Sequence, residues 1–302
     1  MINKDKVIFV TCHYRRSLFF EETVKMITEA GYKWLIQDTY LNPDPHFGEF
    51  SVSNSNIEII PSDHANMWVD ECMLGYKNIL KNRDWDVMVH IDNDMFITGM
   101  KHMIDYINEF IDGGYDYCSY FTKPNKTYTF DDSIIVNLRE LNKVPLPNFP
   151  HLTPEPNFES AYKLTSRRAW DQLTDDNFKD GRLGILAFYD NGSKMGVRSA
   201  NFKYGWTHYG EEWLHMGNHF NYYDKIQTND ITSLKPDREY DVAKIGYFLA
   251  QKVHFGSGIY SELINNNLKT ICNHLGGEQN VIDGWNTFVE GTTMNKWRIN
   301  NE

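Results

Sequence analysis

With 302 residues, the chain is long enough for one large α/β domain or two smaller ones. Its 41% hydrophobic and 24% charged residues are typical of an ordinary soluble globular protein. A formal net charge of -11 argues against a broad phosphate-binding surface for DNA or RNA, although a local basic groove stays open.

The four cysteines are far apart in sequence, and no pair has the close spacing of a zinc or redox motif; they are Cys12, Cys72, Cys118 and Cys272. We therefore expect reduced thiols. The polar start and the short apolar run that follows it predict neither a signal peptide nor a membrane span, and no later segment is long and apolar enough. A cytoplasmic protein without a transmembrane segment is the expectation.

Strands and helices alternate through the first part of the chain. The predicted strands cover residues 7–11, 32–36, 57–60, 87–91 and 115–121, and the predicted helices cover 18–30, 63–82 and 100–111. Ser17 is a suitable N-cap for the first helix, and Gly31 is well placed to end it. This alternation is typical of a parallel sheet with right-handed crossovers.

A proline-rich stretch over residues 145–156 indicates a seam in the chain. It separates residues 1–142 from a second part at 143–258, and residues 259–302 are expected to follow as a C-terminal extension. In the later parts we expect a strand at 158–164, a helix at 169–173 capped by Ser166, a helix or strand at 241–249 and a helix at 261–273. Residues 181–223 show no clear period. Three late aromatic residues are expected to fold back onto the core or form a subunit contact; these are Trp285, Phe288 and Trp297.

The stretch from Trp85 to Ile97 carries the clearest chemical signal. A short apolar run at 87–91 predicts a strand buried on both faces, and it ends abruptly at Asp92-Asn93-Asp94. Alternate residues of an extended chain share a side, so Asp92 and Asp94 can hold a divalent cation together. Ligands of open α/β sheets bind at this end of the strands. The alternative is a simple turn, which these residue types also favour, but the apolar residues that follow favour a site.

This order of features resembles the GT-A fold of nucleotide-sugar-dependent glycosyltransferases over roughly residues 7–260. Asp92-Asn93-Asp94 is similar to that superfamily's Asp-x-Asp motif. Gly210-Glu211-Glu212 is similar to the acidic pair whose second member is the catalytic base of inverting members. His254, in the sequence VHFGSG, is similar to the late histidine that completes the metal site of many members. The chain departs from the pattern at Glu212, where many members have aspartate.

The resemblance implies an α/β fold with a GT-A-like, Rossmann-type open mixed sheet flanked by helices and an acceptor-side second half. Residues 1–142 would then be the nucleotide-sugar-binding half, 143–258 the acceptor and catalytic half of the same domain, and 259–302 a C-terminal helical extension. It also implies a sugar donor carried on a nucleoside diphosphate, with a UDP-sugar as the first expectation.

The resemblance implies a metal site for Mn²⁺ or Mg²⁺. Asp94 is the first choice for direct coordination, and Asp92 would contact the metal through water or hydrogen-bond the ribose. His254 would add a nitrogen ligand, which favours Mn²⁺. The alternative for His254 is a buried histidine bonded to backbone.

The acceptor hydroxyl must lose a proton as it attacks, and a carboxylate within hydrogen-bond reach can take it. Glu212 is the candidate base, followed by Glu211, and a base candidate favours an inverting reaction. The alternative is that the pair caps a helix running from Trp213 toward Phe220.

Besides Asp92, four residues are candidates for contacts with the nucleotide. Arg15 and Arg16 follow the first strand and could meet the diphosphate or the base, although solvated arginines are an equal alternative. Thr11 and Asp38 lie at strand ends and are weaker candidates for base and ribose contacts. An aromatic cluster could wall the acceptor or donor sugar, or pack in the core; it comprises Trp206, His208, Tyr209 and Trp213.

We therefore expect a metal-dependent hexosyl- or pentosyltransferase. One alternative is a nucleotidyltransferase that makes a nucleotide sugar, although its usual glycine-rich loop is absent from CHYRRS after the first strand. Another is a non-catalytic carbohydrate-binding protein, suggested by the aromatic content alone. The acceptor stays open between a glycan, a protein, a small molecule and a modified nucleic acid, and a homo-oligomer is possible.

Overall fold

A computed structural model describes the chain in two compact units. Unit one comprises Met1–Met95 with Met100–Asn201, and unit two comprises Phe96–Gly99 with Phe202–Glu302. The residues described are 4–13, 18–39, 55–62, 76–92, 95–97, 99–122, 129–143, 192–203, 206–209, 213–215 and 219–300.

The described residues form strands β1 Val7–His13, β2 Lys33–Thr39, β3 Ile57–Ser62, β4 Val87–Ile91, β5 Met95–Ile97, β6 Tyr117–Thr122, β7 Thr129–Asn137, β8 Met195–Lys203, β9 Trp206–Tyr209 and β10 Trp213–His215. The helices are α1 Leu18–Glu29, α2 Lys101–Asp112, α3 Leu138–Lys143, α4 His219–Thr228, α5 Glu239–Phe255, α6 Glu262–His274 and α7 Glu278–Val289. Residues 76–80 are also helical.

The sheet of unit one is open and mixed. Its strands lie in the order β3-β2-β1-β4-β7-β6-β8. β1 pairs in parallel with β2 and β4, β2 pairs in parallel with β3, and β6 pairs in parallel with β8. β7 pairs antiparallel with both β4 and β6. An α/β fold with an open mixed sheet and helices, as the sequence predicted, is confirmed.

Both faces of this sheet are buried around β4, all five residues of which are buried. On one face Val10 and Met88 join a core cluster with Tyr76, on the helical residues 76–80, and Leu141 of α3. On the other face Phe9 and Trp34 are also buried, and the centroids of their rings lie 5.5 Å apart. The predicted strand buried on both faces is confirmed.

Unit two contains the β9–β10 antiparallel pair and the helices α4 to α7. Trp285 of α7 is fully buried, and its ring lies 6.1 Å from the ring of Tyr247 on α5. Buried Asp241 of α5 accepts hydrogen bonds from the Tyr222 hydroxyl of α4 (2.5 Å) and from the Lys235 backbone N–H (2.9 Å). Burial is the largest cause that raises the pKa of Tyr222, and the hydrogen bond to Asp241 raises it further.

Several elements differ from their predicted extents. The ambiguous segment at 241–249 is the middle of the long helix α5, and the late aromatic residues Trp285 and Phe288 belong to a helix, α7, that was not predicted. β7 was also missed. The predicted strand at 158–164 and helix at 169–173 lie outside the described residues, as does most of the predicted helix at 63–82. The predicted functional boundaries at 142/143 and 258/259 stay predictions.

Two further findings concern the sequence-based expectations. Within the described ranges, no helix is both long and apolar enough to cross a membrane. Cys118 and Cys272 are buried thiols outside any disulfide. Burial raises the pKa of the Cys272 thiol to about 12.

Helices α5 and α7 approach closely at Gly246, and this contact can be tested. A Cβ atom at residue 246 would lie 2.6 Å from Trp285 Cβ and 3.0 Å from the Val281 carbonyl oxygen. We expect Gly246→Ala to lower the free energy of unfolding by about 1–3 kcal/mol, because this overpacking outweighs the gain in helix propensity. Urea unfolding measures the change.

The matched control is Gly258→Ala, since no atom lies within 4 Å of a Cβ at that position. It should leave the free energy of unfolding unchanged to within about 0.5 kcal/mol. Equal stability of the two variants would contradict the close approach of the two helices.

Candidate functional site

Asp92 is the first residue after β4, at the end of the sheet where β1, β2 and β4 all finish. Its side chain is 29% exposed, whereas every residue of β4 is buried. Its carbonyl oxygen accepts a hydrogen bond from the Met95 N–H (3.0 Å), across two residues that lie outside the described ones. Such a bond is compatible with the turn alternative, and a turn at a strand end can also present ligands.

His90 holds the Asp92 carboxylate from inside the core. His90 Nε2 donates to Asp92 Oδ1 at 2.8 Å, and the imidazole is fully buried. Its ring centroid lies 5.8 Å from that of Tyr76. Sequence reasoning gave His90 no role, although its two-residue spacing from Asp92 places both side chains on one face of an extended chain.

Thr11 connects β1 to both of its neighbouring strands. Its buried hydroxyl donates to the Ile91 carbonyl oxygen (2.7 Å) and accepts from Trp34 Nε1 (3.2 Å). These bonds connect β1 to the last residue of β4 and to β2. The predicted contact of Thr11 with a nucleotide stays a prediction, and the structure adds this role in the sheet.

β7 extends past the end of β4 at the same edge. Ile91 pairs with Ser133, and β7 begins at Thr129, so the backbone of 129–132 runs beyond the last residue of β4. This segment includes Asp131 and Asp132, which sequence reasoning did not single out. The β-branched run Ile134-Ile135-Val136 was the signal that could have identified the strand.

His254 lies in the last turn of α5. Its Nε2 donates to the backbone carbonyl oxygens of Trp297 (3.0 Å) and Arg298 (3.1 Å). The histidine is therefore bonded to backbone, as the structural alternative expected, although it is exposed rather than buried. Its role as a metal ligand stays a prediction, with Nδ1 as the ring atom outside these bonds.

The two predicted acids Glu211 and Glu212 lie outside the described residues, between β9 and β10. Tyr209 pairs with Trp213 across them. The alternative in which they cap a helix starting at Trp213 is wrong, because residues 213–215 form β10 and the next helix starts at His219.

The remaining candidates are described in part or not at all. Asp38 belongs to β2 and its backbone pairs in register with His13 of β1; nothing is described of its side chain. Arg15, Arg16 and Asp94 lie outside the described residues. The four residues of the aromatic cluster lie in the paired strands β9, residues 206–209, and β10, residues 213–215.

The carboxylate oxygens of Asp92, at the end of β4, suit a hard divalent cation. A partly exposed carboxylate whose position is fixed by a hydrogen bond is a typical ligand for Mg²⁺ or Mn²⁺. Among the described residues, no three His, Cys, Asp or Glu side chains gather into a group that could hold a metal. A site at Asp92 with three or more protein ligands would therefore need Asp94 or another residue outside the described ranges.

The sequence matches no protein-family model and no curated protein. Among solved structures, the chain is similar to 4-diphosphocytidyl-2C-methyl-D-erythritol synthase from Anaerococcus prevotii DSM 20548, with 9% identity, 67% of this chain and 91% of that chain covered, and a TM-score of 0.42.

The chain is also similar to S. aureus TarS 1-349, with 10% identity, 94% of this chain and 84% of that chain covered, and a TM-score of 0.42. It covers 50% of a longer TarS structure. A glycosyltransferase involved in the glycosylation of the major capsid of PBCV-1 matches with 11% identity, 64% and 81% coverage, and a TM-score of 0.35.

The role of Thr11 in the sheet can be tested by removing its hydroxyl. We expect Thr11→Val to lower the free energy of unfolding by about 1–3 kcal/mol, because it leaves the Ile91 carbonyl and the Trp34 N–H buried without this partner. Urea unfolding of Thr11→Ser is the control, since serine keeps the hydroxyl. A valine variant as stable as the serine variant would show that these two bonds contribute nothing.

Proposed function

We propose that this protein is a metal-dependent glycosyltransferase, which moves a sugar from a nucleoside diphosphate donor to an acceptor hydroxyl. One observation carries the proposal: Asp92 directly follows the buried strand β4, and its carboxylate is held in place by His90. Open α/β sheets bind their ligands at this end of the strands. A fixed, partly exposed carboxylate there is suited to a cation–diphosphate complex or a ribose hydroxyl.

Asp94 and Asp92 are the proposed cation ligands, with Asp94 in direct contact and Asp92 acting through water or on the ribose. A bound Mn²⁺ or Mg²⁺ would supply positive charge next to the diphosphate, where negative charge develops as the sugar leaves. Among the residues after the first strand, Arg15 is the proposed partner of the diphosphate. Asp38 is proposed for the ribose or base, and a UDP-sugar is the first donor to try.

Glu212 is the proposed catalytic base, with Glu211 as its neighbour. The acceptor oxygen forms a bond to the anomeric carbon while the bond from that carbon to the diphosphate oxygen breaks, and Glu212 takes the acceptor proton. This single displacement inverts the anomeric centre. The chemistry holds for any hydroxyl acceptor, so the acceptor class is chosen by experiment.

Binding of the donor nucleotide is the first test. We expect one nucleoside diphosphate to raise the unfolding temperature only when Mn²⁺ is present, and Asp94→Asn to abolish the rise. A ligand at about 100 times its dissociation constant stabilises by about 2.7 kcal/mol, which gives a shift of several degrees. Thermal unfolding with a panel of nucleoside diphosphates and triphosphates, each with and without Mn²⁺, measures this.

The matched control is Asp112→Asn, which removes an exposed carboxylate at the end of α2 and should keep the full response. If no nucleotide stabilises the wild type with Mn²⁺, the glycosyltransferase proposal is wrong and a carbohydrate-binding protein becomes the better hypothesis. Stabilisation by a nucleoside triphosphate alone would favour the nucleotidyltransferase alternative.

The base can be tested separately from binding. We expect Glu212→Gln to lower kcat by about 10²–10⁴-fold, because the amide cannot take a proton, while stabilisation by the nucleotide with Mn²⁺ stays unchanged. The assay follows release of the nucleoside diphosphate from the donor, with water as the acceptor. Glu211→Gln is the control, and a large loss there with none at residue 212 would exchange the two roles.

A further inference from the structure

His90 is a polar residue in a strand that is otherwise apolar. On its own face of the sheet it lies in register with Val10 of β1 and Ile134 of β7, both of which are buried. Tyr76 packs on its ring. Burying an imidazole among such neighbours costs free energy unless its nitrogen atoms form hydrogen bonds. An apolar residue would fill this position at less cost to folding.

The hydrogen bond of His90 points to what this residue does. Nε2 donates to Asp92 Oδ1 at 2.8 Å, which requires a proton on Nε2 in either the neutral or the charged ring. The imidazole is fully buried, whereas the carboxylate is 29% exposed. The rigid end of this pair therefore lies in the core, and the end that faces solvent is the proposed donor-site ligand.

We propose that His90 is a positioning residue for donor binding: it fixes one oxygen of Asp92 so that the carboxylate keeps the orientation in which it meets the cation–nucleotide complex. This inference rests on the proposed function. Hydrogen bonds that orient a ligating carboxylate commonly change metal affinity by about 10- to 100-fold when they are removed.

Two amide variants of similar polarity separate positioning from packing. In His90→Gln the side-chain amide reaches about as far as Nε2 and can still donate to Asp92. In His90→Asn the amide reaches only about as far as Nδ1 and cannot. Calorimetry with Mn²⁺ and the nucleoside diphosphate chosen by the stability panel should show about a 10- to 100-fold loss of affinity in His90→Asn. His90→Gln should stay within a few-fold of the wild type.

The partner of the hydrogen bond provides a second comparison. In an Asp92→Ala background, the Gln and Asn variants should bind the Mn²⁺–nucleotide complex equally, because the carboxylate that His90 orients is gone. A difference between the amides that persists without the carboxylate would overturn the proposal, since it would then arise from packing.

A measurement on the wild type covers the case in which the variants fold poorly. In protein labelled with ¹⁵N-histidine, the His90 Nε2–H signal should be present without ligand and should shift when Mg²⁺ and the nucleoside diphosphate are added. A His90 resonance that does not respond to a complex that binds would overturn the inference.

The outcomes distinguish the two proposals. If the wild type binds no nucleotide with metal, the proposed function fails, and the positioning role fails with it. If the wild type binds and His90→Asn binds equally well, only the role of His90 fails. The role of His90 is supported if His90→Asn loses affinity for the Mn²⁺–nucleotide complex and His90→Gln keeps it, while the two variants bind equally in the Asp92→Ala background.

Discussion

Strand β4 is paired on both sides, in parallel with β1 and antiparallel with β7, and the site depends on this double pairing. All five of its residues are buried, so a partly exposed side chain first occurs where the strand ends. A shift of one residue in register would exchange the two faces of the strand and place the Asp92 side chain on the opposite face of the sheet. The pairing therefore determines where the carboxylate emerges and toward which face it points.

Two buried polar residues fasten the end of this strand from opposite faces. Thr11 bonds to the carbonyl of Ile91, and His90 bonds to the carboxylate of Asp92. Thr11 shares its face with Phe9 and Trp34, whereas His90 shares the other with Val10, because alternate residues of a strand point to opposite sides. Backbone and side chain at the strand end are thus each held by a group that cannot move without disturbing the core, which suits the proposed ligand-binding role of Asp92.

Strands β1 to β4, strand β6 and the first helix were predictable because their apolar runs are short and bounded by clear signals, such as Gly31 after α1. β7 was missed despite its β-branched run Ile134-Ile135-Val136, because four of the five residues before that run are polar and its antiparallel pairing leaves no mark in the local sequence. Asp92 could be identified from its place after a buried run. His90 could not, because a histidine inside an apolar strand reads as part of the core until its distance to Asp92 is known. The long helix α5 was ambiguous because it is buried over most of its surface, which hides the helical period.

The reversed direction of β7 has a consequence for how this protein could diversify. β7 is antiparallel to both β4 and β6, so β6 runs in the same direction as β4. The last residue of β6 and the first residue of β7 therefore lie at the edge of the sheet where Asp92 emerges. The pairs between β4 and β7 run from Val87 with Asn137 to Ile91 with Ser133, and the first residues of β7, 129–132, extend past them. Substitutions at residues 129–132 would alter the surroundings of a molecule bound at that edge while leaving the pairs between β4 and β7 intact. Selection for a new ligand could act on this start of β7 without first having to offset a loss of those pairs.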